Sequence, residues 1–275
     1  MINMTDEEFR LLVDYTTQKC GITYNERQKY IFQQKMIKRL EYNGLNTFKD
    51  YYYLLKYNNS EEEIQELYNV LTVNETYFFR EKEHILALKD IITKELLKNN
   101  PKKHIKILSA GCSTGEEVYS ISIILRDLLK NNTKISITGI DISKKALDIA
   151  KSGTYRKISL TFRAVDKPFI NTYFDETKDS YKIKDEIKEN ITFNCENLFD
   201  SSTLSSNNKY DIIFCRNVMI YFEKTYKQNL ITNFANNLND GGYLIVSNTE
   251  NISDVNSGFF NVKKDNLFFY QKNNF

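Results

Sequence analysis

From His104 to the C-terminus the chain alternates between strand-like and helix-like stretches, and few folds accept that alternation. "HIKILSAG" is followed by "EEVYSISIILRDLLK", and "KISITGID" by "SKKALDIAKSG". "NITFNCEN" and "YDIIFCRN" then read as strands, "KTYKQNLITNFANNL" as a helix and "GGYLIVSN" as a further strand. Short apolar runs separated by amphipathic helices build parallel crossovers, because each helix covers one face of the sheet it leaves. The pattern predicts an α/β fold with a doubly wound, mostly parallel sheet and helices on both faces. The last segment, "FFNVKKDNLFFYQK", predicts a closing strand or hairpin. Residues 155–190 are polar, charged and too irregular for one crossover, and they predict a small inserted β-subdomain.

Ahead of this region the chain reads as short helices. Thr5 and Glu8 have capping-box spacing, Phe9, Leu12 and Val13 follow on one face, and Gly21 ends the helix. A second helix from about Glu26 carries Phe32, Met36, Ile37 and Leu40 as its apolar stripe, with Gly44 just past it. Thr47 with Asp50 and Ser60 with Glu63 mark two more helix starts. The expected organisation is an all-helical unit over 1–72 and a sheet domain over 73–275. On the second helix Lys35, Lys38 and Arg39 recur at three and four, which predicts one exposed basic face. Such a face is either plain solvated surface or a docking patch for an acidic helix.

Composition excludes several classes of function. The 38 basic and 36 acidic residues leave a net charge of +2, so there is no overall field for nucleic acid or membrane. No apolar run approaches a membrane span, and the acidic start "MINMTDEEFR" is unlike a signal peptide; a cytoplasmic protein is expected. Cys20, Cys112, Cys195 and Cys215 are scattered and read as small buried apolar residues. With His84 and His104 as the only histidines, no metal site is expected and a Ser-His-Asp engine is poorly supplied.

In an open parallel sheet, ligands bind beyond the carboxyl ends of the strands, where strand order switches. Four successive strand ends here are small or polar: "SAGCSTGEE", Asp141 in "GIDIS", Glu196 with Asn197 and Leu198, and Arg216 with Asn217. Turn chemistry accounts for any one of these, but not easily for all four. Gly115 is followed by Glu116 where a phosphate-binding loop needs Lys, and G-x-G-x-x-G is absent. Glu116 and Glu117 at a helix start would repel a pyrophosphate and suit a neutral or cationic ligand. Asp141 fits a carboxylate that accepts both ribose hydroxyls. A cationic nucleoside without phosphates is S-adenosylmethionine. An NAD(P)-dependent oxidoreductase, a methyltransferase acting on another protein or a small molecule, or a module that only senses S-adenosylmethionine would share the fold.

"TVNETYFFRE", "SAGCSTGEEVYSI", "GIDIS", "AKSGTY", "NLFD" and "DIIFCRNVMIYF" occur in this order. Together they resemble the chemotaxis receptor methyltransferase family, CheR, which methylates glutamates on receptor cytoplasmic helices, and the likeness covers nearly the whole chain. The resemblance implies that Asn74, Thr76 and Arg80 fold over the cofactor, with Arg80 reaching the methionine end and the catalytic centre. It places Glu117 at the methionine amino group, Asp141 at the ribose, Asn197 and Leu198 at the adenine, and Arg216 with Asn217 along the cleft. Tyr221 would set its hydroxyl near the transferred methyl, and Lys35, Lys38 and Arg39 would meet the acidic methylation region of the receptor. The implied protein is a monomer that needs no metal, nucleic acid or membrane insertion. The insertion lacks glycine, which argues against its gripping a receptor peptide. The reaction would be in-line displacement at a sulfonium methyl by a carboxylate that is already ionised near neutral pH, since its reference pKa is about 4.3.

Overall fold

The computed structural model describes residues 2–58, 60–131, 133–200, 204, 209–252, 258–264 and 267–273. Four helices lead the chain: α1 (Asp6–Cys20), α2 (Lys29–Tyr42), α3 (Phe48–Tyr57) and α4 (Glu61–Leu71). Their ends are set by local chemistry. Thr5 Oγ1 accepts the Glu8 N–H at 3.2 Å while the Glu8 carboxylate accepts the Thr5 N–H at 2.9 Å. Gly21, at φ 73°, closes α1 in the left-handed conformation that side chains resist. Thr47 and Ser60 cap α3 and α4 by accepting the N–H of Asp50 and Glu63. Leu12, Phe32, Met36, Leu40, Phe48, Tyr51 and Leu67 form the core between these helices. Each such side chain contributes roughly 1.5–3 kcal/mol by leaving water.

The basic face expected on α2 does not form. Arg39 is buried: its Nε donates to Glu63 Oε1 at 2.9 Å, its Nη2 bonds the other oxygen, and the Tyr51 hydroxyl donates to Glu63 at 2.7 Å. Lys35 Nζ donates to the carbonyls of Val70 and Leu71, both at 2.8 Å, where the C-terminus of α4 favours a cation. Of the three, Lys38 alone is exposed. Spacing of three and four does place these residues on neighbouring ridges, but α4 packs against that side of α2 and takes Lys35 and Arg39 out of solvent.

The sheet has seven strands: β1 (Ile105–Ala110), β2 (Ile135–Asp141), β6 (Ile191–Cys195), β7 (Tyr210–Phe214), β8 (Leu238–Ile245), β9 (Phe259–Lys264) and β10 (Leu267–Lys272). Their order is β6-β2-β1-β7-β8-β10-β9. The first five run parallel, and β9 and β10 form the closing antiparallel hairpin. Successive crossovers leave β1 toward β2 on one side and reach β7 on the other, so strand order switches between β1 and β7. α7 (Glu116–Lys130), α8 (Lys144–Ser152) and α11 (Lys224–Asn237) supply the crossovers. Ile107, Val118, Ile121, Ile137 and Ile212 pack one face, and Leu108, Ile140, Ile213, Leu230 and Phe234 the other. Between the helical unit and the sheet, the helical stretch is broken into α5 (Lys82–Leu86), α6 (Leu88–Ile91) and a π turn over Ile92–Leu96.

The insertion is its own small sheet, β3 (Thr154–Arg156), β4 (Phe174–Glu176) and β5 (Ser180–Ile183), antiparallel in the order β3-β5-β4. It also holds α9 (Lys167–Tyr173) and α10 (Asp185–Lys188). Phe78 reaches into it from the loop after α4: its ring stacks on Phe162 and meets Tyr155 and Phe174 edge-on. Cys20, Cys112 and Cys215 are buried as expected, whereas Cys195 is exposed at the end of β6.

Replacing Arg39 by Ala leaves the Glu63 carboxylate buried without its charge partner, and urea unfolding should show a loss of about 3–5 kcal/mol. Burial pushes the Glu63 carboxyl up, but hydrogen bonds from Arg39, Tyr51 and Asn43 outweigh it and hold the group below 4.5. A lowered folded pKa stabilises above the unfolded value, so this contribution is present above pH 4.5 and is lost as pH falls through the folded pKa. The Arg39→Ala variant should lack that acid-side loss.

Candidate functional site

A cleft enclosing about 1030 Å³ of empty space, part of it open to solvent, lies at the switch between β1 and β7. All ten residues expected at a cofactor and catalytic site line it: Asn74, Thr76, Arg80, Glu117, Asp141, Asn197, Leu198, Arg216, Asn217 and Tyr221. Two glycines let the first strand turn end close against its neighbours. At Gly111, φ 78°, a Cβ would meet Val218 Cγ2 at 2.4 Å. At Gly115, φ 92°, it would meet the Ala150 Cβ at 2.9 Å, so α7 starts directly against α8.

Asp141 ends β2 and is buried at the cleft wall. Its two carboxylate oxygens accept the N–H of Ser113 at 2.7 Å and of Ser143 at 2.8 Å. Burial raises its pKa, opposed by hydrogen bonds from the Ser143, Ser113 and Ile142 backbone. A carboxylate offers about four acceptor positions over its two oxygens, so Asp141 keeps capacity to accept from a ligand hydroxyl. Beside it Ile142, Leu198 and Phe199 offer an apolar surface. Asn197 is oriented by Nδ2 donating to the Lys19 carbonyl at 2.7 Å and by Oδ1 accepting the Phe199 N–H at 3.1 Å.

The other end of the cleft is charged. Arg216, buried, donates from Nη1 to Glu117 Oε2 at 3.0 Å and from Nη2 to the Arg80 carbonyl at 2.5 Å, and lies 3.3 Å from Glu81 Oε2. Ser109 Oγ donates to the second oxygen of Glu117 at 2.7 Å. The two acidic residues at the start of α7 do not act together as expected. Glu117 faces the cleft, whereas Glu116 turns away, accepting Thr114 Oγ1 at 2.6 Å and Thr161 Oγ1 at 3.4 Å. Burial lifts the Glu116 carboxyl to about 7, with Thr114 holding it down.

Among the described residues, four non-glycine positions have positive φ, and all four sit on loops of this site: Phe79 (60°), Glu81 (47°), Ser113 (50°) and Asn217 (58°). Backbone held in sparsely populated conformations persists only where its surroundings over-determine it. Phe79 and Glu81 flank Arg80, whose Nη1 donates to the Glu75 carbonyl at 3.0 Å. Asn217 is held by its N–H donating to Glu250 Oε2 at 2.8 Å. Glu250 also accepts the Ser247 hydroxyl at 2.8 Å and is buried. Glu81 and Glu250 were missed by sequence reasoning. Glu250 lies just past β8, the fifth parallel strand, so the strand-end rule applied to the first four ends points to it as well.

The helical unit completes the wall with Cys20, Ile22, Leu71 and Thr72. Comparison with known proteins follows this division. Residues 7–72 match the all-alpha domain of CheR methyltransferase, and residues 74–268 match its SAM binding domain. The chain belongs to the CheR methyltransferase family. It is 33% identical over 266 residues to chemotaxis protein methyltransferase 2 of Vibrio cholerae, covering 96% of this chain and 91% of the relative. The chemotaxis protein methyltransferase of Borreliella burgdorferi is 32% identical over 260 residues, covering 91% of this chain and 90% of the relative. Among solved structures, an O-methyltransferase family protein from Burkholderia thailandensis shares 11% identity at a TM-score of 0.39, over 78% of this chain and 60% of that one.

S-adenosylmethionine is the cofactor of the matched domain, and the residues of the CheR cleft fit it. A zwitterionic end needs both charge signs, and Glu117, Arg80 and Arg216 supply them around one end of the cleft. Arg216 Nε is buried with no protein partner among the described residues, so it has a donor left to give. A diol needs paired acceptors, which Asp141 provides, and a purine needs an apolar slot, which Ile142, Leu198 and Phe199 form. Among the described residues no group of three or more His, Cys, Asp or Glu could hold a metal ion, and no helix is long and apolar enough to cross a membrane.

A carboxyl raised by burial binds its proton more tightly when folded, so stability falls as pH rises from its unfolded value of 4.5 to about 7. The loss is on the order of 3 kcal/mol. Glu116→Gln should flatten that slope in denaturation measured across this range.

Proposed function

We propose that this protein transfers the methyl group of S-adenosylmethionine to glutamate carboxylates on the cytoplasmic helices of chemotaxis receptors. The products would be glutamyl methyl esters and S-adenosylhomocysteine, with residues 1–72 and 73–275 as the working units and the cytoplasm as the setting. The observation that carries this reading is the meeting, in one cleft, of a nucleoside-type wall at Asp141 and an open lip shared by Arg80 and Tyr221. The relatives are named as chemotaxis protein methyltransferases, which supports a chemotaxis protein as the acceptor.

When bound, S-adenosylmethionine supplies an electrophilic methyl on a sulfonium. The residues of this chain would then hold, align and shield. Asp141 would accept the ribose hydroxyls, with Asn197 and Leu198 bordering the base. Glu117 would take the ammonium and Arg216 with Asn217 would line the amino-acid end. Asn74 and Thr76 would cover the site from the loop after α4, and Arg80 of the same loop would lie over it. An acceptor glutamate is a carboxylate at neutral pH and needs no general base. Neither His84 nor His104 lines the cleft, and burial lowers the pKa of His84 further. Burial pushes the Tyr221 hydroxyl above 10.0, Arg80 opposes that, and Glu75 and Glu250 add to it. The hydroxyl therefore stays protonated and can donate to one oxygen of the acceptor while the other attacks. Alignment of this kind can supply roughly 7–11 kcal/mol of barrier reduction in favourable cases.

The decisive experiment supplies labelled S-adenosylmethionine and a receptor cytoplasmic fragment, then treats the product with mild alkali. Label should enter the receptor and leave as methanol, the signature of a carboxyl methyl ester; alkali-stable label would overturn the proposal. Tyr221→Phe should lower turnover by up to about a hundredfold with cofactor affinity nearly unchanged. Asp141→Ala should instead weaken cofactor binding by about ten- to a hundredfold, the worth of hydrogen bonds to a charged group. Calorimetric titration of cofactor into both variants, beside their rates, separates the two roles.

A further inference from the structure

Arg163 belongs to the insertion, yet its guanidinium reaches the lip of the cleft. It lies 3.8 Å from the centroid of the Tyr77 ring, and Arg80 lies over the same ring at 5.9 Å. Tyr77 itself lines the cleft. The turn that carries Arg163 is tied to the loop around Arg80, because the Phe78 N–H donates to the Thr161 carbonyl at 3.0 Å. Arg163 thus stands against two cleft-lining residues, Tyr77 and Glu75, without lining the cleft itself.

Its present partner is informative. Arg163 Nη2 donates at 3.0 Å to Glu75, a residue that lines the cleft at its exposed rim. The Glu75 side chain is 65% exposed, and a pair this open to water is weak and readily exchanged. A glutamate carboxylate of this chain therefore sits on a guanidinium at the lip, in electrostatic reach of Tyr221. On the same turn Ile158 and Leu160 stand 84% and 69% exposed, an apolar shoulder beside the charge.

We propose that Arg163, stacked on Tyr77 beside Arg80, is a subsite for a second carboxylate of the acceptor, which displaces Glu75 from it. This rests on the glutamate-methylating function proposed above. A helix that offers one glutamate to the reaction presents its neighbours at three and four positions about 5–6 Å away. One of those acidic side chains takes the guanidinium, and the apolar shoulder takes the adjoining helix surface. Stacking on Tyr77 preorganises Arg163 for a planar bidentate partner in a way a lysine cannot reproduce.

The test measures initial rates of methyl transfer to the receptor fragment at varied acceptor and salt concentrations, with cofactor affinity measured separately. For Arg163→Ala, acceptor KM should rise about tenfold and depend less on salt, with kcat and cofactor affinity unchanged. Arg163→Lys should fall between the two, and Glu75→Gln should lower acceptor KM by removing the internal competitor. A purely structural role for Arg163 predicts instead that kcat and cofactor affinity fall together while the salt dependence stays, and that result overturns the subsite. Unchanged acceptor KM in Arg163→Ala overturns it too, while wild-type transfer leaves the proposed function standing. Absence of transfer by the wild type overturns both.

Discussion

The buried guanidinium of Arg216 is the interaction on which the rest of the site depends. A charge taken out of water is costly unless it is paired and hydrogen-bonded. Here compensation comes from three groups on two elements: Glu117 from the start of α7, and Glu81 with the neighbouring carbonyl of Arg80 from the loop before α5. None of these can move without exposing the others to an unpaired charge. Helix, loop and strand end are thereby locked at one point, and the strained backbone at Phe79, Glu81 and Asn217 is held by that lock and by Glu250.

The insertion works on the same loop from the other side. Phe78 is enclosed by Tyr155, Phe162 and Phe174, so the segment carrying Arg80 is clamped between an aromatic cluster and an ionic one. Glu116 adds a polar pin, since its carboxyl joins the β1–α7 turn to Thr161 of the insertion. Apolar packing fixes position here, and the polar contacts fix orientation, which is what alignment of two reacting groups demands.

The sheet was legible because its signals are local. "EEVYSISIILRDLLK" is α7 from end to end, and the strand-end rule brought together Glu117, Asp141, Asn197, Leu198, Arg216 and Asn217, while the family resemblance supplied Asn74, Thr76, Arg80 and Tyr221. The basic face of α2 failed because spacing reports which residues share a side of a helix and nothing about what packs there. The partner of Arg39 is Glu63, 24 positions away and across two turns. Glu116 and Glu117 illustrate the same limit: they are adjacent in sequence, but successive residues diverge by 100° around a helix, so one meets the cleft and the other the protein interior. Glu81 acts through a long-range contact to Arg216, which no local pattern records, whereas Glu250 sits past a strand end that the same rule reaches.

The seam between the helical unit and the sheet has a thermodynamic consequence. Ile22 bridges to Phe222, the Thr23 N–H donates to the Tyr221 carbonyl at 3.2 Å, and a Cβ on Gly21 would strike Phe199 at 2.1 Å. Cys20 and Ile22 share the cleft wall with residues from the far unit. A ligand filling that cleft touches both sides of the seam and acts as a clasp, stabilising their association by RT ln(1 + [L]/Kd). Cofactor exchange and loosening of the seam are therefore linked quantities, and a force on the helical unit is felt as a change in cofactor affinity.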